Sequence, residues 1–242
     1  MLFENKTFVN FSECPVKIKK DKTIIRNCIF KSPCKGFKFA IYLEDVKDCI
    51  IEDCVFMGFK QKGLCIFLNR KTNKSNNLII RNCEFINLWP VDGVTNGLET
   101  IRIGTSHMSL SNSNSIIDNC TFINCQAEKE VISIKSCGNI IKNNVFHNSR
   151  SLTLRHGNDN QVINNTFVRS EGIRVCGENH ILMKNIFYEC ENNILLLYGQ
   201  KDPKLNGYAP VKNVKIDEQN TSISNHVQKP SCIIEPDFLK IF

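Results

Sequence analysis

Short apolar bursts alternate with polar positions along most of this chain, as in Val131-Ile132-Ser133-Ile134-Lys135 and Ser151-Leu152-Thr153-Leu154-Arg155. A period of two puts successive side chains on opposite faces of an extended backbone, so these bursts predict half-buried β-strands. No stretch carries the spacing of an amphipathic helix of useful length. The bursts sit inside a longer repeat. Seven segments superimpose: Ile25 to Phe30, Ile51 to Phe56, Ile80 to Phe85, Ile117 to Phe122, Ile141 to Phe146, Val162 to Phe167 and Leu182 to Phe187. The first four place Asn or Asp and then Cys before the closing x-Phe (Asn27-Cys28, Asp53-Cys54, Asn82-Cys83, Asn119-Cys120); the last three place Asn at the Cys position.

The Phe-to-Phe intervals are 26, 29, 37, 24, 21 and 20 residues, which sets a minimum of about twenty with insertions in the first half. That period is one coil of a solenoid, whose apolar face is buried only by its neighbours in the stack. The repeated Asn suits a corner ladder, because its amide pairs with the next coil and its backbone tolerates a left-handed bend. The expected fold is therefore all-β: a single-stranded right-handed parallel β-helix forming one domain over residues 1–242. Its regular coils are expected over about 22–200 and an irregular tail over about 201–242. A leucine-rich repeat has a similar period, but its LxxLxL consensus is absent.

Composition narrows the chemistry. At 242 residues and 42% hydrophobic content, one domain with a sizeable core is the default. The 31 Lys and Arg against 24 Asp and Glu give a net charge of +7, which favours an anionic partner. The basic residues are not interleaved with aromatics and match no nucleic-acid module, so nucleic acid is not expected. No apolar run reaches membrane-spanning length, and the opening residues lack a signal-peptide core. Thirteen Cys without a CxxC pair fit neither a zinc ribbon nor a full disulfide framework, so the recurring thiols are read as small buried hydrophobes. Free thiols without an export signal lead us to expect synthesis in a reducing cytoplasm. An enzyme released by lysis or carried on a virus or phage particle would then reach an extracellular polymer.

Insertions in a solenoid build loops on one face. The longest interval, Phe85 to Phe122, contains Asn96-Gly97-Leu98-Glu99-Thr100-Ile101-Arg102. Counting back from the Phe positions puts Lys135, Arg155 and Arg174 at corresponding places in successive coils, give or take a residue, and Arg102 extends the series. A stripe of cations about 5 Å apart costs about 3 kcal/mol per neighbouring pair at an effective dielectric near 20, before screening. Such a stripe implies an anion laid across it. It also implies a depressed pKa for Lys135, which makes a neutral amine available as a base. Just upstream lie Glu128 and Glu130, with Asn96 one coil earlier, and these oxygen donors suit a hard cation such as calcium.

Four segments in order resemble polysaccharide lyase family 6, which includes chondroitinase B and alginate lyases. They begin at Asn96, Glu128, Ser151 and Gly172, and Leu152-Thr153-Leu154-Arg155-His156-Gly157-Asn158 is the most specific of them. The resemblance implies a β-helix enzyme that cleaves an acidic, uronate-containing polysaccharide by calcium-assisted β-elimination, with alginate ranked ahead of dermatan or chondroitin-type polymers. By motif position, Lys135 is the base and Arg155 assists the leaving group. Asn96, Glu128 and Glu130 hold Ca2+, Arg102, His156 and Arg174 contact substrate, and His180 and Glu178 support the coil. Two alternatives stay open at this stage: a non-catalytic glycan-binding or fibre module, and a uronate C5-epimerase on the same scaffold.

Overall fold

The computed structural model describes residues 1–197, 211–223 and 232–234. The chain winds through three parallel sheets, each of nine strands. The first sheet runs from Leu2–Glu4 to Lys215–Ile216, the second from Thr7–Val9 to Thr221–Ile223, and the third from Val16–Ile18 to Cys232–Ile234. Each strand pairs with its counterpart one coil away, so the architecture is the expected right-handed parallel β-helix. The coils reach further than the sequence repeat suggested. Leu2 already pairs with Ile24, and the described parts of the expected tail add a last rung to all three sheets.

The Phe positions stack in register at the second sheet: Phe30 opposite Phe56, Phe85 opposite Phe122, and on to Phe187. Neighbouring rings lie 4.6–5.1 Å apart at interplanar angles of 4–9° from Phe30 to Phe187, and Phe8 extends the column by one ring at 4.9 Å. The ring separation is the rise between hydrogen-bonded strands, so identical residues in identical places stack face to face without adjustment. Two residues earlier in each coil, Cys28, Cys54, Cys83 and Cys120 are buried free thiols in a second interior column.

That interior column continues as Asn144, Asn165, Asn185 and Asn220. Each Asn carbonyl oxygen accepts the backbone N–H of the residue one coil before it, at 2.9 Å for Cys120 on Asn144 and 3.0 Å for Asn144 on Asn165. The Asn thus replaces the small thiol where the corner offers a donor, which closes a buried polar account that would otherwise stay open. The residue preceding it is held in the left-handed region in each coil from Asn27 to Lys184, with φ of 51° at Asn27, 54° at Asp53, 54° at Asn82 and 55° at Asn164. This explains the Asn and Asp bias of the repeat.

Candidate active site

The third sheet carries the site. Its strands Ile101–Gly104, Glu130–Lys135, Ser151–His156 and Ile173–Val175 lie side by side. Inward residues of these strands, such as Ile101, Ile132, Leu152 and Ile173, fill the core. The residues between them form an outer column in which Arg102 faces Ser133, Ser133 faces Thr153 and Thr153 faces Arg174. Lys135 stands two residues further along, opposite Gly104 on one side and His156 on the other. The expected unbroken stripe of Arg102, Lys135, Arg155 and Arg174 is therefore two tracks. The offset is already present in the regular register of Arg102 with Ser133, two residues before Lys135; the irregularity between Ile134 and Lys135 then sets Lys135 opposite His156, past Arg155.

The tracks are also interleaved with carboxylates. Glu130 is buried; one of its oxygens accepts from Arg155 Nη1 at 2.8 Å and lies 3.6 Å from Arg174 Nη1, while the other accepts from Ser133 Oγ at 2.6 Å. Glu99 accepts from Arg102 Nε at 2.8 Å and from the Nη2 of the same guanidinium. The other Glu99 oxygen is buried without a hydrogen-bond partner. Glu128 accepts the backbone N–H of Leu98 at 2.7 Å, which fastens the loop that carries Asn96 to the next coil. Asn96 itself is exposed.

These neighbours set the ionisation. Burial, followed by the charges of Glu99 and Glu130, pushes the Glu128 carboxyl up to about 7. Burial and the adjacent Arg102 guanidinium push the Lys135 ammonium below the usual lysine range. The depression foreseen for Lys135 thus has desolvation as its main cause and like-charge repulsion second. Among the described residues Lys135 forms no salt bridge, so its amine is available to an incoming molecule.

Two expected substrate contacts, His156 and Arg174, are buried. His156 has 0% exposure and Arg174 has 5%, so both lie beneath the surface of the groove and support what a ligand would touch. His180 is part of the coil, as expected: its Nδ1 accepts the Asn160 N–H at 3.1 Å and its Nε2 pairs with the Cys176 carbonyl at 3.0 Å. Glu99 is the residue that sequence reasoning left without a role. It lies inside the Asn96-to-Arg102 segment already singled out, and only its burial against Arg102 reveals its importance.

Among the described residues no three His, Cys, Asp or Glu side chains are gathered as a metal centre. Glu128, the unpartnered oxygen of Glu99 and nearby Glu130 are nonetheless hard oxygen donors whose charges repel, and that repulsion adds to burial in raising the Glu128 carboxyl. Carboxylate oxygens of this kind are the donors that a hard divalent cation takes.

No curated protein matches the sequence. Solved structures do match. One described as a mannuronic acid specific polysaccharide family 6 lyase from human gut microbiota aligns with a TM-score of 0.67 at 20% identity, covering 95% of this chain and 72% of that one. The alginate lyase AlyF-OU02 aligns at 0.66 and 18% identity, covering 91% and 65% respectively. A family 6 alginate lyase solved with a trisaccharide aligns at 0.63 and 19% identity, covering 88% and 63%. The chain therefore spans about two thirds of the length of these proteins, and at such identities the likeness establishes the fold. The family itself is established by sequence. The chondroitinase B family model matches residues 5–233, and the chain belongs to that family, polysaccharide lyase family 6.

Proposed function

We propose that the chain is a polysaccharide lyase that cleaves a uronic-acid polymer by β-elimination, with Lys135 as the base. The observation that carries this reading is Lys135 itself: a largely buried lysine with a depressed pKa, in a groove flanked by guanidinium groups. Its neutral amine takes the proton from C5 of the uronate. The electron pair left behind forms the C4–C5 double bond as the C4–O4 bond breaks. Arg155, held by Glu130 at 2.8 Å, is aimed to stabilise the departing oxygen. Arg102, held by Glu99, binds a substrate carboxylate or hydroxyl at the other edge of the groove.

Asn96, Glu128 and Glu130, with the spare oxygen of Glu99 beside them, would hold calcium. When bound it supplies positive charge to the uronate carboxylate on which negative charge builds. Alginate is the first candidate substrate, because the similar solved structures are described as alginate and mannuronic acid lyases. The test is a screen of purified protein on alginate, its homopolymeric blocks and sulfated glycosaminoglycans, with calcium and with chelator. New ultraviolet absorbance from an unsaturated uronate is the expected result. Carboxylate inversion at C5 without that absorbance would instead indicate an epimerase, and binding with neither reaction would indicate a glycan-binding module.

A further inference from the structure

The outer column that holds Arg102 continues toward the N-terminal coils, and its chemistry changes there. Arg102 faces Phe67, Phe67 faces Tyr42, and Tyr42 faces Lys17, one coil at a time. The Arg102 guanidinium lies over the Phe67 ring at 5.3 Å, and the Lys17 ammonium lies over the Tyr42 ring at 5.5 Å. Phe39 packs against both aromatics, at 5.1 Å from Tyr42 and 5.5 Å from Phe67. Three coils at a rise of about 4.8 Å place Lys17 roughly 14 Å from Arg102 along a continuous face.

Beyond this aromatic patch lies a groove of about 720 Å³ whose charged lining is four lysines, Lys19, Lys20, Lys71 and Lys74, against three carboxylates, Asp21, Glu44 and Asp45. Its charges do not balance. Lys17, Lys19 and Lys71 all converge on the single carboxylate of Glu44, at 3.7, 3.6 and 2.5 Å. Lys74 stands 3.7 Å from Asp45. One carboxylate can neutralise one ammonium, so the groove keeps a surplus of positive charge and of unused N–H donors. The three lysines on Glu44 are half exposed or more, at 52%, 66% and 52%, so those donors face water.

We propose that this lysine groove is a second binding site for polyuronate, joined to the reactive groove by the Tyr42 and Phe67 column. It would hold the polymer several sugars away from the bond that is cleaved and make long chains better substrates than short ones. The inference rests on the lyase reading above. An anionic polymer is the matching occupant because it presents a carboxylate at every sugar along a line, as the lysines do along the groove.

The test compares the parent with a Lys17→Gln/Lys19→Gln/Lys71→Gln variant. A control variant, Lys6→Gln/Lys31→Gln/Lys215→Gln, makes the same change of charge on the other two sheets and the turn between them. The lysine-groove variant should raise KM for the long polymer about tenfold and flatten its dependence on salt, while kcat and the KM for the shortest cleaved oligouronate stay at parental values. In a Lys135→Ala background the same three substitutions should weaken polymer binding by the same factor, measured by calorimetry. Parental KM and affinity in the groove variant would overturn the proposal, as would an equal loss in the control, which would reduce the effect to net charge. A parent that cleaves and binds no polyuronate at all would instead overturn the lyase reading. If the triple variant melts below the parent, Lys19→Gln alone, at the most exposed of the three, is to show a smaller shift in the same direction.

Discussion

At the residue scale the site is governed by burial. Glu128 illustrates this most clearly, because desolvation and two neighbouring carboxylates hold its carboxyl up to about 7. A raised carboxyl keeps its proton in the folded state between its unfolded value and about 7, so folding is favoured below that window and loses stability as pH rises through it. In chelator, the melting temperature of the parent should therefore fall relative to Glu128→Gln as pH goes from about 5 to 8. Parallel curves for the two proteins would contradict that assignment. Lys135 has the opposite consequence for rate. Its lowered pKa makes the neutral amine more abundant at a given pH, so the acidic limb of kcat against pH should lie below the usual lysine range, and Lys135→Arg should abolish turnover.

Gly104 shows how backbone conformation supports that lysine. Its φ is 91°, and a Cβ there would run into the Lys135 carbonyl of the neighbouring strand and approach Arg70 Cδ at 3.4 Å. Arg70 is itself buried and ties two loops together, with bonds of 2.7 Å to Asn76 and 2.8 Å to the Ser111 carbonyl. Gly104→Ala should cost at least about 1–3 kcal/mol, the strain of a left-handed non-glycine position, and should lower kcat by moving Lys135. An unchanged melting temperature and rate would sink this reading.

At the scale of elements, the interior columns decide stability. Phe122 lies between Phe85 and Phe146 at 4.8 and 4.6 Å and is fully buried. Phe122→Ala should therefore cost about 3–5 kcal/mol in chemical denaturation. Asn165 both donates and accepts within its column, so Asn165→Ala leaves buried backbone groups unpaired and should cost about 1–3 kcal/mol. These columns were legible in the sequence because stacking forces like residues into like positions. The Phe8 coil was less so: it keeps Asn5 and Phe8 but places Lys6 where Cys or Asn recurs, so its signature is worn.

Site geometry was legible in part for the same reason. Periodicity brought Arg102, Glu130, Lys135, Arg155 and Arg174 onto one sheet, with Glu128 in the bend just before it, but a repeat cannot report a register irregularity inside a strand. The two tracks come from the two-residue offset of Lys135 from Ser133, and the irregularity decides that Lys135 faces His156 and not Arg155. Nor can alternation show that His156 and Arg174, at outward positions of their strands, are buried. The ion pairs of Glu130 with Arg155 and Arg174 form between coils, at separations that no local pattern encodes, whereas Glu99 pairs with Arg102 three residues on in the same coil.

For the molecule as a whole, each coil touches only its neighbours, so stability is a sum along the stack and damage stays local. The first coil has a half-buried Phe8 with one stacked ring, in contrast to the two around Phe122. Phe8→Ala should speed hydrogen exchange in the first coils and leave the Ser151–His156 strand protected. The same linear plan spreads the third sheet into a continuous outer face on which the reactive cluster and the lysine groove are separated only by the aromatic column. The claim on which the rest depends is that Lys135 is the base of an elimination. The direct measurement follows ultraviolet absorbance on alginate for the parent and for Lys135→Ala, with circular dichroism to establish that both are folded. The account predicts a steady rise for the parent and a flat trace for the folded variant; a parental rate in Lys135→Ala would contradict it.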